Sequence, residues 1–340
     1  MRRCFEIAKQ GASSVAPNPM VGCVITHNDK IIGEGYHQRY GESHAEVMAI
    51  NSIANPDLLP EATLYVNLEP CAHHGKTPPC ADLIIEKKLK KVVVSNLDPY
   101  VEVAGKGLQR IREAGIEIDF EVLEKEGRWL NRRFFTHHEE NRPYIILKWA
   151  QTNDGFLDYH RQEDDGSEPL KISGDEMNRV VHRWRSEESS ILVGKNTAAL
   201  DNPSLTTRLW PGDDPLRLVI DPQLQLKDSL KMFQDGKPLW VFNALKEYCE
   251  REVCYVRISD PENFPLEISR HLAQNNIQSV IIEGGSNTLN RFVSANLWDE
   301  ARIITSPMRI GSGIPTPEVT GKIFSSEMIG NDLLQVYLNE

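Results

Sequence analysis

His44, Glu46, Cys71 and Cys80 are the residues of this 340-residue chain whose types and spacing most directly describe a reaction. One imidazole and two thiolates suit Zn²⁺, and three protein ligands leave a fourth position for water. A zinc ion acts catalytically through that position, by lowering the pKa of water. Glu46 stands two residues after His44. From there it can take a proton from water and pass it to a departing amine without binding the metal, which is hydrolytic deamination. Each part alone is weak: a lone buried cysteine is usually a small hydrophobe, and His-Ala-Glu on a helix is usually a surface feature. A purely structural zinc, with His73 or His74 as fourth ligand, is the competing reading. Glu46 argues against it.

These side chains need elements to hold them. Short strands are expected at 21–25 and 30–35, flanking a hairpin turn at His27-Asn28-Asp29. Residues 44–53 read as a helix with Ser43 as N-cap and Glu46 as its capping-box partner. A strand at 62–66, a helix at 81–89, a strand at 91–95, a helix at 108–114 stopped by Gly115 and a strand at 116–122 complete the first series. The polar stretch 124–140 reads as one helix, and Asn141-Arg142-Pro143 marks a boundary, giving domains 1–141 and 142–340. Beyond it, strands are expected at 144–149, 190–194, 216–220, 239–242, 279–282, 301–305 and 334–338. Helices are expected at 175–185, 266–275 and 288–295, and the acidic segment 159–168 as an exposed loop. Such alternation means two α/β domains in series, each a sheet between helices.

Composition narrows the class. With 40% hydrophobic and 26% charged residues the chain is an ordinary globular protein. A net charge of −11 argues against tracking a nucleic-acid backbone, and so against a base editor of tRNA or single-stranded DNA. No apolar run approaches the ~20 residues of a membrane span, and the N-terminus has no apolar core of a signal peptide. Six cysteines are too sparse for a disulfide framework, so a reducing, cytoplasmic setting is expected.

The order H-x-E, P-C and a second cysteine resembles the zinc-deaminase signature. Eight residues separate Cys71 from Cys80, where the nucleoside and nucleobase branch has two. The longer runs Pro17-Asn18-Pro19-x-Val21-Gly22-Cys23-Val24, Gly33-Glu34-Gly35-Tyr36-His37, His44-Ala45-Glu46-Val47 and 69–80 resemble one family, the bifunctional riboflavin-biosynthesis deaminase–reductases. The resemblance spans nearly the whole chain. It implies a cytidine-deaminase-like three-layer αβα domain followed by a dihydrofolate-reductase-like α/β domain. The first would deaminate 2,5-diamino-6-ribosylamino-4(3H)-pyrimidinone 5′-phosphate with one Zn²⁺ per chain. The second would reduce the ribosyl chain to ribityl with NADPH. Homo-oligomers are common among relatives, and the partners implied are small phosphorylated pyrimidines, with no nucleic acid or membrane. By position, Asn18, His37, His73, Lys76 and Asp98 match the deaminase substrate site. An amide such as Asn18 can pair with a pyrimidine edge, and Lys76 suits a phosphate.

In the second domain the matching segments are Leu147-Lys148-Trp149-Ala150-Gln151-Thr152, Val193-Gly194-x-x-Thr197, 201–208 and Glu283-Gly284-Gly285-Ser286-Asn287-Thr288-Leu289. The last follows an apolar strand and opens a helix, where free backbone N–H groups can hold a phosphate. The resemblance assigns Ala150, Thr197, Asp201, Gly285, Ser286, Asn287 and Thr288 to the cofactor. It assigns Lys148, Arg185, Leu205, Arg208 and Glu283 to the substrate. The two arginines suit a ribose phosphate, and Lys148 could orient the ribose or protonate the opening sugar. No G-x-G-x-x-G follows a strand, which counts against a Rossmann domain. Three positions depart from the family pattern: Tyr100 follows Asp98-Pro99 where asparagine is common, Phe156 replaces a basic residue, and Pro169-Leu170-Lys171-Ile172-Ser173 lacks the usual serine and tryptophan. The alternatives are a deaminase whose reductase domain turns over poorly, or a zinc-stabilised nucleotide-binding module.

Overall fold

Asn28 and Asp29 both adopt positive φ, 48° and 59°, a conformation their short polar side chains tolerate. They turn β1 (Gly22–His27) back into β2 (Lys30–Tyr36) as an antiparallel hairpin. The computed structural model describes residues 1–72, 78–100, 104–163 and 167–339. The chain divides into two compact units, Met1–Asn141 and Arg142–Glu340.

In the first unit β3 (Thr63–Leu68), β4 (Lys91–Asn96) and β5 (Glu117–Asp119) join the hairpin in the order β2-β1-β3-β4-β5, with β3, β4 and β5 parallel. Val92, Val93 and Val94 are all buried, as a strand covered on both faces requires. Helices α1 (Arg2–Ala8), α2 (Ala45–Asn51), α3 (Cys80–Glu86) and α4 (Lys106–Glu113) cover the sheet. Cys23, Ile25, Leu64 and Val66 meet Ala45, Ala49, Ile84 and Ile111 in one core on one side. Cys4 and Ile7 of α1 pack on Val24 from the other. This is the three-layer αβα arrangement.

Two expectations need correction here. The strand at 116–122 contracts to β5, and the helix at 124–140 is two, α5 (Glu124–Leu130) and α6 (Arg132–Glu140). Asn131 breaks it with φ −103° and ψ 28°. Its amide is committed elsewhere: Oδ1 accepts from Met20 N–H at 2.8 Å and Nδ2 donates to the Met20 carbonyl at 2.9 Å. That clamp fixes the loop carrying Asn18.

The second unit contains β6 (Tyr144–Thr152), β7 (Phe156–Asp158), α7 (Asp175–Glu187), β8 (Ser190–Gly194), α8 (Lys195–Asp201), β9 (Leu216–Ile220), α9 (Lys231–Gln234) and β10 (Leu239–Asn243). It continues with β11 (Tyr248–Glu250), β12 (Val253–Arg257), α10 (Phe264–Gln274), β13 (Ser279–Ile282), α11 (Ser286–Ser294), β14 (Glu300–Ser306), β15 (Ile314–Pro315), β16 (Lys322–Ile329) and β17 (Asp332–Leu338). Ten strands form one sheet in the order β11-β12-β10-β9-β8-β13-β6-β14-β17-β16, parallel from β12 to β14 and antiparallel at both ends. β7 and β15 pair separately. Ligand crevices in parallel sheets lie beyond the carboxyl ends of the strands, so the β6, β8 and β13 ends are where a site is expected.

Contrary to the expectation of reduced cysteines, Cys249 and Cys254 form a disulfide. They are direct cross-strand partners in the β11–β12 hairpin, a pairing their spacing alone does not reveal. Among the described residues no helix is long and apolar enough to cross a membrane.

Candidate functional site

His44 is the extended residue that opens α2, Cys80 is the first residue of α3, and Cys71 follows β3. Three elements thereby deliver three donors to one point. His44 Nδ1 lies 3.6 Å from Cys71 Sγ and 3.3 Å from Cys80 Sγ, and the three ligand atoms all fall within 4.8 Å of one another. Donors on a tetrahedral zinc, at the usual Zn–N and Zn–S lengths, sit about 3.5 Å apart. The donor set and its spacing fit that ion. The Cys80 N–H donates to Cys71 Sγ at 3.3 Å, and hydrogen bonding from the Cys80 thiol and from His44 pulls the Cys71 thiol well below its usual range.

Glu46 is 3% exposed and lies against the Cys80 thiol. Burial, reinforced by Cys71, pushes its carboxyl up to about 7, against the pull of His44. The capping box expected from Ser43 and Glu46 is absent: His44 is the N-cap, and its side chain makes no capping bond. The helix end gives up its cap because both side chains of that turn face the donor cluster.

Asn18 and His37 are brought to the same place. His37 Nδ1 lies 3.1 Å from the Ser43 carbonyl, so it carries the proton and donates. Nε2 therefore accepts from Asn18 Nδ2, 3.1 Å away, which leaves Asn18 Oδ1 as an acceptor with no hydrogen-bond partner among the described residues. Burial lowers the His37 pKa, in keeping with a neutral ring. That ring meets His44 edge-on at 5.7 Å. Asp98 Oδ1 accepts from the Tyr100 N–H at 2.9 Å, closing its own turn. His73 and Lys76 lie outside the described residues, as does His74.

Glu69, the first residue of the run 69–80 and assigned no role from sequence, organises this site. Its carboxylate, 4% exposed, accepts the N–H groups of Gly107 (3.0 Å), Leu108 (3.3 Å), Gly105 (2.9 Å) and Asp98 (3.3 Å). It ties the start of α4 to the loop that delivers Cys71. A negative charge at a helix start is also favoured by the dipole. The sequence signal was its place beside Pro70-Cys71.

The second unit holds a cavity of about 1000 Å³ at the carboxyl ends of β6, β8 and β13. Lys148 and Ala150 line it from β6, Thr197 and Asp201 from α8, and Glu283 with Gly285, Ser286, Asn287 and Thr288 from the turn into α11. Gly284 has φ +131°, open to glycine and few others. A Cβ on Gly194 would come 2.4 Å from Thr288 Oγ1, so the two walls touch there.

Glu283 sits between cations. Arg185 Nε and Nη2 donate to its two oxygens at 2.9 and 2.6 Å, and Lys148 Nζ is 3.7 Å away. Burial pushes the Glu283 carboxyl up, but Arg185 and Lys148 outweigh it and hold it at about 2. Burial lowers the Lys148 pKa. Arg185 is thus engaged by Glu283 rather than open to a phosphate. Arg208 is exposed, its N–H donating to His182 Nδ1 at 3.0 Å, while Leu205 is 2% exposed at φ 55°. Arg185, Leu205 and Arg208 stand outside the cavity lining. A residue missed from sequence enters it: Arg161, in a segment read as exposed loop, has a side chain only 6% exposed. A lone arginine among acidic residues was the only hint.

Comparison with known proteins matches residues 1–96 to the cytidine and deoxycytidylate deaminase zinc-binding region and 143–334 to the RibD C-terminal domain. The riboflavin biosynthesis protein RibD of Aquifex aeolicus is 39% identical over 319 residues, covering 92% of this chain and 88% of its own length. That of Escherichia coli is 33% identical over 329 residues, covering 92% and 88%. Among solved structures, a diaminohydroxyphosphoribosylaminopyrimidine deaminase/5-amino-6-(5-phosphoribosylamino)uracil reductase from Thermotoga maritima is 35% identical with a TM-score of 0.88, covering 100% of this chain and 97% of that one. Acinetobacter baumannii RibD is 30% identical with a TM-score of 0.89, covering 99% and 97%.

Proposed function

The chain belongs to the bifunctional deaminase–reductase family of riboflavin biosynthesis, and from that membership we propose which residues carry each of its two reactions. The first unit is the zinc-binding deaminase domain and the second the reductase domain. The substrate of the first is 2,5-diamino-6-ribosylamino-4(3H)-pyrimidinone 5′-phosphate, and His44, Cys71 and Cys80 hold one Zn²⁺. Zinc bound there supplies Lewis acidity that lets water ionise near neutral pH. Glu46 takes the proton from the attacking water and delivers it to the amine as the C–N bond breaks and ammonia leaves. Asn18 Oδ1 accepts from the pyrimidine edge, with His37 holding the amide in that sense. Asp98 belongs to the same substrate site, and His73 and Lys76 join it by position, Lys76 at the phosphate.

In the second unit Ala150, Thr197, Asp201 and the stretch 285–288 would hold NADPH, which would supply a hydride for the ribosyl chain. Exposed N–H groups at the start of α11 suit its diphosphate. Lys148, whose proton burial loosens, orients the sugar and gives a proton to the opening ring oxygen, and Glu283 fixes the lysine. Arg185 acts through Glu283, whereas Arg208, exposed, with Leu205 nearby and its Nη1 donating to Thr206 Oγ1 at 3.0 Å, is the arginine that meets the ribose phosphate.

The observation that carries this is three donor atoms within 4.8 Å beside a buried carboxylate that the metal does not need. Glu46→Gln tests it. Ammonia release should fall by two to four orders of magnitude, ~10²–10⁴-fold, with zinc content unchanged by metal analysis. Undiminished turnover would remove Glu46 from the mechanism, whereas zinc-loaded wild-type protein that releases no ammonia would favour a zinc-stabilised binding module. For the second step, deaminated product and NADPH are mixed with protein and absorbance at the nicotinamide band is followed, with NADH in parallel. No oxidation would leave deamination as the sole activity, the outcome to which Phe156 and Lys171 would then be relevant.

A further inference from the structure

Arg161 is surrounded in sequence by polar and acidic residues, yet its side chain is 6% exposed. Arginine is rarely buried that far unless paired. Here Nε and Nη2 donate to Asp158 Oδ2 at 2.7 and 2.5 Å, Nη1 donates to the Leu200 carbonyl at 3.3 Å, and Nη2 also donates to Asp201 Oδ1. Asp158 ends β7 and Asp201 ends α8. One guanidinium thus joins two walls of the cavity, and all three side chains line it.

The two oxygens of Asp201 are treated differently. Oδ1 is held by Arg161, and Oδ2 has no hydrogen-bond partner among the described residues. A carboxylate pinned by one oxygen presents the other in a fixed direction, as an acceptor for a hydroxyl. We propose that Arg161 is a positioning residue for the cofactor: it pins Asp201 so that Oδ2 accepts from a sugar hydroxyl of the nicotinamide dinucleotide. This rests on the reading of the cavity as the NADPH site. The same geometry argues against Arg161 as a direct phosphate ligand, because two carboxylates already surround it and give the trio a net negative charge. Burial and the nearby Asp158 raise the Asp201 carboxyl, and Arg161 is the group that opposes them. Without the guanidinium, Asp201 is both freer to turn and a poorer acceptor.

The test is a double-mutant cycle on the full-length protein, read by NADPH binding through quenching of tryptophan fluorescence; Trp149 lines the cavity. Arg161→Ala and Asp201→Asn should each weaken NADPH binding roughly tenfold, and the double variant no further than Asp201→Asn alone. In turnover, Arg161→Ala should raise KM for NADPH while kcat at saturating NADPH stays near wild type, and Arg161→Lys should recover part of the loss. A merely structural arginine would lower the unfolding midpoint without this coupling. Additive losses would mean that Arg161 contacts the cofactor by itself, and an unchanged Kd that it has no part in binding; either overturns the proposal. Should the alanine variant fold poorly, Arg161→Lys and Arg161→Gln in the Asp201→Asn background decide the coupling instead. Wild-type protein that binds neither NADPH nor NADH would remove the cofactor reading and this proposal together, whereas wild-type binding with additive or silent variants removes the proposal alone.

Discussion

Glu283 carries a negative charge where burial opposes one, 7% of its side chain exposed and two cations against it. Its carboxyl is held at about 2 against an ordinary 4.5, so folded protein takes up this proton at lower pH than the unfolded chain does. Its stabilising contribution is therefore complete above about pH 4.5, shrinks as pH falls, and is gone below about 2. The difference corresponds to about 3 kcal/mol. Glu283→Gln should lower the urea midpoint of the second unit at pH 7 and converge with wild type as the pH approaches the acid end of that window. Tryptophan fluorescence reads it, since five of the six tryptophans lie in the second unit. A midpoint difference that stays constant with pH would assign the loss to packing instead. Glu283 could be found from sequence because it ends an apolar strand before Gly284-Gly285. That Arg185 is its partner could not, with 98 positions between them.

Gly107 shows the same limit for an element. In a helix pattern it reads as a weak helix former, but a Cβ there would come 1.9 Å from the Pro70 carbonyl. Helix α4 thus leans directly on the loop that delivers Cys71, with Glu69 bridging them. Gly107→Ala should push that loop aside, lowering zinc content and ammonia release while NADPH oxidation with deaminated product persists. Glu69→Ala, which strands two buried N–H groups, of Gly107 and Leu108, and two half-buried ones, of Asp98 and Gly105, should cost on the order of 2–4 kcal/mol in the first unit, measured by hydrogen exchange at Gly105, Gly107 and Leu108. Zinc retained at wild-type level in both variants would separate α4 from the donor cluster. The paired helices α5 and α6 teach a related lesson. Residues 124–140 have helical composition throughout, and the break at Asn131 comes from its bonds to Met20, a residue 111 positions away.

At the scale of the molecule, two units with separate cores divide the work. Metal binding stabilises only the unit that contains the ligands. A chelator should therefore abolish ammonia release and lower the melting temperature of the first unit, leaving NADPH oxidation by the second intact; Zn²⁺ should restore both losses. Simultaneous loss of NADPH oxidation would show that the second activity depends on the donor cluster. Reduction of Cys249–Cys254 should change little in either reaction, because the two cysteines are only 5 positions apart in an edge hairpin, and β11 lies at one end of the sheet order, away from β6.

The order His44, Glu46, Cys71, Cys80 was enough to read zinc-dependent deamination, and the runs of apolar residues between turn signals marked most of the strands; the reductase half followed from the family resemblance of the longer motifs. Those features are local: ligand type, spacing and side-chain period reside in neighbouring residues. Which tautomer His37 adopts, which oxygen of Asp201 is held, what Glu69 binds and which cysteines pair are decided by groups that meet only when the sheets assemble. Hydrogen bonds and ion pairs depend on distance in space, and no spacing along the chain encodes it.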